Sequence, residues 1–332
     1  MTAASAESPP APASRLRRWR RPLSWGVSIV AISLVVWMLP IRDKCTEAGC
    51  EAGLLSTLAG MRAHLVALAF ALYLLGTLVW AARWRALLRM AHADVTLRAA
   101  WRITLEAQAG GVLLPSGVGG DALRVAYVVS HCRDVSSAKI VASVVVDRAL
   151  GLVTMSLLAM GAFAAFGARD VGAAFAVVAA IPVLALVLWA VLRSERLAHH
   201  PWLQGRFATR FVRPVLEYTS HSDGGAVLAR GVFLSLLVSA IQLGVVRLLV
   251  AALGATPVPE AWVYLGTTLA MMVAALPALP GGWGTADAAF VVFFARAGLA
   301  APVAVAVCTT YRVFWYAVAC VGAVSTLLRR TE

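Results

Sequence analysis

The residues able to do chemistry cluster at two Pro/Gly breaks in an otherwise apolar chain. The first is Leu114-Pro115-Ser116-Gly117-Val118-Gly119-Gly120-Asp121, with Arg124 just beyond it. The second is Leu279-Pro280-Gly281-Gly282-Trp283-Gly284, 165 positions later, with Asp287 beyond it. Leu114, Pro115, Gly117 and Gly119 fall on Leu279, Pro280, Gly282 and Gly284, and the acid slips by one residue, Asp121 against Asp287. A long apolar segment carrying an arginine follows each break. Arg148 lies 29 residues after Gly119, and Arg312 lies 28 after Gly284. Guanidinium groups bind phosphate through paired hydrogen bonds, so Arg148 and Arg312 are candidate contacts for an anionic ligand. The competing reading is structural. A lone charge inside a span costs about 2.5–3.5 kcal/mol on insertion scales, and each arginine could simply be neutralised by Asp121, Asp147 or Asp287.

The breaks themselves support a site. Unpaired backbone N–H and C=O groups cost several kcal/mol each in hydrocarbon, so Pro-x-Gly-x-Gly at membrane depth needs protein or a water-filled cavity around it. Gly117, Gly119, Gly282 and Gly284 allow close backbone approach. A helix that starts after each break aims free N–H groups and a partial positive charge at the gap. Two such ends near the midplane match the arrangement of inverted-repeat transporters, where half-helix N-termini face an anionic group.

Other polar residues have plainer readings beside functional ones. Arg124 shares a helix face with Asp121 and is either ligand-facing or half of an i,i+3 pair. Asp147, next to Arg148, is expected to neutralise it. Glu106 and Gln108 are expected to satisfy backbone freed at the first break. Gln242 and Arg247 either extend a polar path or bond between helices. Tyr311, with Tyr127, Trp283 and Tyr316, reads as packing or interface anchoring in support of the site.

Composition sets the class. Of 332 residues, 61% are hydrophobic and 14% charged, and mean hydropathy is +0.82. A soluble domain carries about 25% charge, so the chain reads as an all-α polytopic membrane protein. The short alternating segments of an outer-membrane barrel are absent. The net charge of +13 raises nucleic-acid binding as an alternative, but the bases sit at segment ends and no nucleic-acid motif accompanies them. Cys45 and Cys50 share one polar loop and either pair in an oxidising compartment or stay free; Cys132, Cys308 and Cys320 read as packing residues. With no CxxC, HExxH, GxSxG or Walker loop, no enzyme activity, cofactor or metal is expected.

The elements that must position the breaks follow from apolar length. Residues 1–22 read as a disordered basic cytoplasmic N-terminus. Full spans are expected at about Leu23–Leu39, His64–Ala82, Ala138–Phe166, Val171–Leu192, Gly231–Leu253 and Pro302–Leu328. The segments around the breaks, Trp101–Leu114 with Asp121–Ser130 and Ala261–Leu279 with Thr285–Arg296, are expected to return rather than cross, because a span needs about 20 residues; eight full spans are the alternative and give the same loop sides. The expected architecture is six full helices and two opposed re-entrant hairpins, inverted-repeat-like, in one transmembrane unit over 23–330. Its halves cover about 60–192 and 231–328, joined by a basic cytoplasmic loop at 193–230. Arginine-dense loops then fall on one side with both termini, as the positive-inside rule requires of an inner-membrane protein.

At Pro115-x-Gly117-x-Gly119-Gly120-Asp121-x-x-Arg124, Ala142-Ser143-x-x-x-Asp147-Arg148, Pro280-Gly281-Gly282-x-Gly284-x-x-Asp287 and Tyr311-Arg312, the chain resembles a family. It is the flippase-like membrane region of lysylphosphatidylglycerol synthases, the multiple peptide resistance factor proteins. The resemblance covers most of residues 60–328. It implies re-entrant helices and movement of lipids between leaflets. Asp287 stands where the family more often has glutamate. No aminoacyl-transfer domain follows Glu332, so lysyl transfer is not expected. The expected function is an inner-membrane lipid flippase or transporter, with membrane lipids as partners and no nucleic acid. The alternative is a non-transporting accessory protein that scaffolds a lipid-biosynthesis enzyme. Neither the lipid nor the oligomeric state is legible.

Overall fold

Long runs of Ala, Val and Leu form the longest helices, while the shorter helices beside the first break also carry Arg102, Glu106, Gln108, Asp121 and Arg124. The computed structural model describes residues 43–46, 49–51, 53–113, 119–132, 135–166, 172–193, 218, 224–254, 258–275 and 285–329. The expected first span at Leu23–Leu39, the N-terminal tail, Pro115, Gly117, Pro280, Gly281, Gly282 and Gly284, and most of the basic loop lie outside the described residues.

The described residues begin with a two-stranded antiparallel ribbon, β1 (Lys44–Thr46) and β2 (Gly49–Glu51), that puts Cys45 opposite Cys50 in register. A short helix, α1 (Leu54–Ala59), follows. Everything further described is helical: α2 (Ala63–Met90), α3 (Leu97–Leu113), α4 (Gly119–His131), α5 (Ser137–Phe166) and α6 (Gly172–Arg193), then α7 (Gly224–Ala252), α8 (Glu260–Ala275), α9 (Thr285–Arg296) and α10 (Ala301–Arg329). Among the described residues, four stretches are long and apolar enough to cross a bilayer: Ala63–Met90, Ser137–Phe166, Ala229–Ala252 and Ala301–Leu327. The helices beside the breaks are shorter, 17 and 13 residues for α3 and α4, 16 and 12 for α8 and α9. At 1.5 Å per residue, about 20 residues are needed to span the hydrocarbon.

Two boundaries differ from expectation. Helix α2 runs to Met90, past the expected end at Ala82, because Arg83, Arg85 and Arg89 favour helix and end only the apolar stretch. Helix α7 begins at Gly224, inside the expected 193–230 loop, because Ala226, Val227 and Leu228 continue the helical pattern.

The packing is reciprocal between the two halves. Helices α2 and α7 lie along each other. Helix α3, which enters the first break, packs on α10, the last span; α8, which enters the second break, packs on α5. The post-break helices stay with their own half, α4 on α5 and α9 on α10. Exchanging α2 with α7, α3 with α8, α4 with α9 and α5 with α10 maps this contact pattern onto itself, as two related units about a pseudo-twofold would. A core of Val245, Leu249, Leu265, Phe290, Phe294 and Val307 fills the space among α7, α8, α9 and α10. A second core, around Trp84, Leu88, Ile103, Val128 and Ile140, joins α2 to α5 in the first half.

Close crossings are made by glycine. A Cβ on Gly322 of α10 would come 2.1 Å from the Leu105 carbonyl oxygen of α3, and one on Gly120 of α4 would come 2.4 Å from that of Ala107. Small residues let membrane helices approach to backbone contact. Gly322→Ala therefore forces α3 from α10, at a cost of about 1–3 kcal/mol for overpacking. The expected result is a lower melting temperature in lipid nanodiscs. Gly161→Ala, where nothing lies within 4 Å, leaves the melting temperature unchanged or slightly higher. Equal melting of the two variants would remove the crossing from the fold's supports.

Candidate functional site

The first half holds a buried ion network. Asp147 of α5, 1% exposed, accepts hydrogen bonds from Arg83 Nε at 2.7 Å and Trp80 Nε1 at 3.0 Å, both from α2. Arg83 also donates to Ser235 of α7 at 3.3 Å. Arg124 of α4, 1% exposed, places Nη1 3.6 Å from Asp147 and 3.8 Å from Asp121. Its guanidinium carbon stands 4.1 Å from the Trp80 ring centre and 5.1 Å from that of Trp84, so two indoles share its charge. Asp121 accepts from Arg148 Nε at 2.8 Å. Among the described residues, three guanidinium groups thus face two carboxylates. The network ties the helix that leaves the first break to α2, α5 and α7.

The second half repeats the outer part of this pattern. Asp287 of α9 accepts from Arg312 Nη2 on both oxygens, at 3.0 and 2.9 Å. The Cys308 thiol donates to the same carboxylate at 2.9 Å. In each half, the acid just beyond the break meets the arginine of the following span. At the position three residues after the acid, where the first half has Arg124, the second half has Phe290.

The two arginines differ in exposure. Arg312 is 8% exposed. Arg148 is not the buried residue its place within a span suggests: its side chain is 45% exposed. It shares a face of α5 with Val141, Val145 and Leu152, all exposed, at i−7, i−3 and i+4. The outward face of α5 is thus an apolar strip with one guanidinium in it, anchored by a carboxylate behind.

The sequence expectation for Asp147 is corrected. Consecutive helical residues do not face each other, so Asp147 turns inward to Arg83 and Arg124 while Arg148 turns outward to Asp121. Arg124 is enclosed by indoles and acids, with Thr104 Oγ1 at 3.4 Å, which favours the structural reading of that residue. Glu106 lies 3.9 Å from Arg102 and accepts from Ser325 of α10 at 3.2 Å. Gln108 accepts from the Tyr73 hydroxyl at 3.5 Å. The backbone of the first break, which these two residues are expected to satisfy, lies outside the described residues. Tyr311 packs edge-on against Tyr73, with ring centres 5.4 Å apart. Arg247 is paired with Glu260 at 2.6 Å, the interhelical reading. Of the four break glycines, Gly119 is described, buried at the start of α4. Sequence reasoning missed Arg83, Trp80 and Trp84. The usable signal was that Arg83 sits one turn past an aromatic-rich helix segment that continues for two more turns.

Comparison with known proteins gives one match. A family model described as the lysylphosphatidylglycerol synthase TM region matches residues 24–322. No curated protein and no solved structure matches the chain.

Proposed function

The chain belongs to the lysylphosphatidylglycerol synthase TM region family, and on that premise we propose that it moves lipids between the leaflets of the bacterial inner membrane. It is a multi-pass membrane protein, and its family fits a lipid-related membrane role. The finer reading is a flippase or lipid transporter for a polar or anionic headgroup. The observation that carries this reading is Arg148: a half-exposed guanidinium in an apolar strip, held from behind by Asp121. A phosphate meets the guanidinium through paired hydrogen bonds, while acyl chains lie along Val141, Val145 and Leu152.

In this reading each break and its hairpin line one side of a path, with Arg312 and Asp287 serving the other half. Gly117, Gly119, Gly282 and Gly284 give backbone access to the headgroup, and the two halves, about 60–192 and 231–328, rock against each other. The hairpins are re-entrant, and the basic stretch 193–230 and both termini are cytoplasmic. The chain makes and breaks no bonds itself. Native mass spectrometry tests the site. Wild-type protein released from nanodiscs of mixed lipids should retain an anionic phospholipid selectively, and Arg148→Ala should lose it. No selective lipid in the wild type, or equal retention in the variant, would reject the assignment.

A further inference from the structure

A second polar feature lies apart from the ion pairs, where α2, α3, α7 and α10 meet. It is a partly open pocket of about 50 Å3 lined by Tyr73, Thr77, Trp80, Gln108, Gln242 and Tyr311, together with apolar neighbours. Among the described residues its lining is uncharged. Its polar groups are unevenly used. Thr77 donates to the Leu74 carbonyl at 2.7 Å and accepts from Trp101 Nε1 at 3.0 Å. The Trp80 N–H goes to Asp147. The Tyr311 hydroxyl and the Gln242 amide also line it. Gln108 is 6% exposed, and its Nε2 has no hydrogen-bond partner. Turning the amide over only exchanges which of its ends is unmet. A buried unmet amide costs about 1–3 kcal/mol.

We propose that this cavity is an internal water site, held by the amides of Gln108 and Gln242 and the hydroxyls of Tyr73 and Tyr311. A buried water needs about 10–15 Å3 and two to four polar partners, so the space and its lining fit a cluster of about three. The waters supply the acceptor that Gln108 Nε2 lacks. They also lie against Trp80, whose ring carries the Arg124 guanidinium. Mobile dipoles one ring away reduce the desolvation cost of the neighbouring ion network. The proposal does not depend on the lipid reading.

Hydroxyl-radical labelling by X-ray radiolysis, read by mass spectrometry in lipid nanodiscs, tests it, because radicals form from water in place. Tyr73 and Tyr311 should label several-fold faster than Phe294, which is fully buried among apolar groups. Gln108→Leu with Gln242→Leu should bring both tyrosines down to the rate of Phe294. If the tyrosines of the wild type label no faster than Phe294, the cavity is dry and the proposal falls. It falls equally if labelling persists in a folded double variant, since the water would then be bulk solvent. Should that variant not fold, the wild-type comparison decides alone.

Discussion

Asp147→Ala should remove a large share of the folded stability, about 3–5 kcal/mol. Asp147 is 1% exposed and holds Arg83 at 2.7 Å, with Arg124 at 3.6 Å and the Trp80 N–H as further partners. Removing it leaves two buried guanidinium groups against the single carboxylate of Asp121, which Arg148 already engages. Breaking a buried pair from one side carries that cost because the remaining charge stays desolvated. Total stabilities are about 5–15 kcal/mol, so much of the protein should fail to accumulate, and the rest should melt far below the wild type in nanodiscs. Replacing both partners by apolar groups is often neutral. Asp147→Ala with Arg83→Met should therefore recover much of the loss, short of the share owed to Arg124. A single variant that melts like the wild type would mean that the network is not what holds α4 against α2 and α5.

Arg148→Gln should behave in the opposite way: stability nearly unchanged, lipid translocation down at least about tenfold. Exposed ion pairs are worth about 0–1 kcal/mol, and Arg148 is 45% exposed. A lost charge-assisted contact to a headgroup is larger, about 1.5–3 kcal/mol, or roughly ten- to a hundredfold in rate if it is made in the rate-limiting state. Proteoliposomes carrying a labelled anionic lipid measure this directly. The control is Arg247→Gln. Arg247 is also a partly exposed arginine in a tight acid pair, 2.6 Å from Glu260, but it has no part in either break. Its translocation should stay at the wild-type rate. Equal losses in both variants would point to a general effect of charge on insertion instead of a site.

Much of this architecture was legible in the sequence, for identifiable reasons. Apolar length marked the helices. The pairing of Asp121 with Arg148 and of Asp287 with Arg312 was among the stated possibilities. Side-chain direction was not legible. Apart from Lys139, Asp147 and Arg148, helix α5 carries small and apolar residues all round, so no periodicity tells which way Arg148 points or that Asp147, about 100° away, points inward. Arg83 was read as the end of a span because positive charge marks the membrane boundary; the helix itself continues to Met90. The β1–β2 ribbon was read only as a polar loop, since three-residue strands carry too little pattern to register.

The measurement that bears most directly on the lipid path is translocation by a variant neutral at both ends of the outer pair, Asp121→Asn with Arg148→Gln. It removes the carboxylate together with the arginine that balances it, and Arg124 keeps Asp147 as its partner. If Arg148 serves the headgroup, the double variant folds and fails to move the lipid. Transport at the wild-type rate would mean that Arg148 serves only to neutralise Asp121, and the site would have to be sought elsewhere.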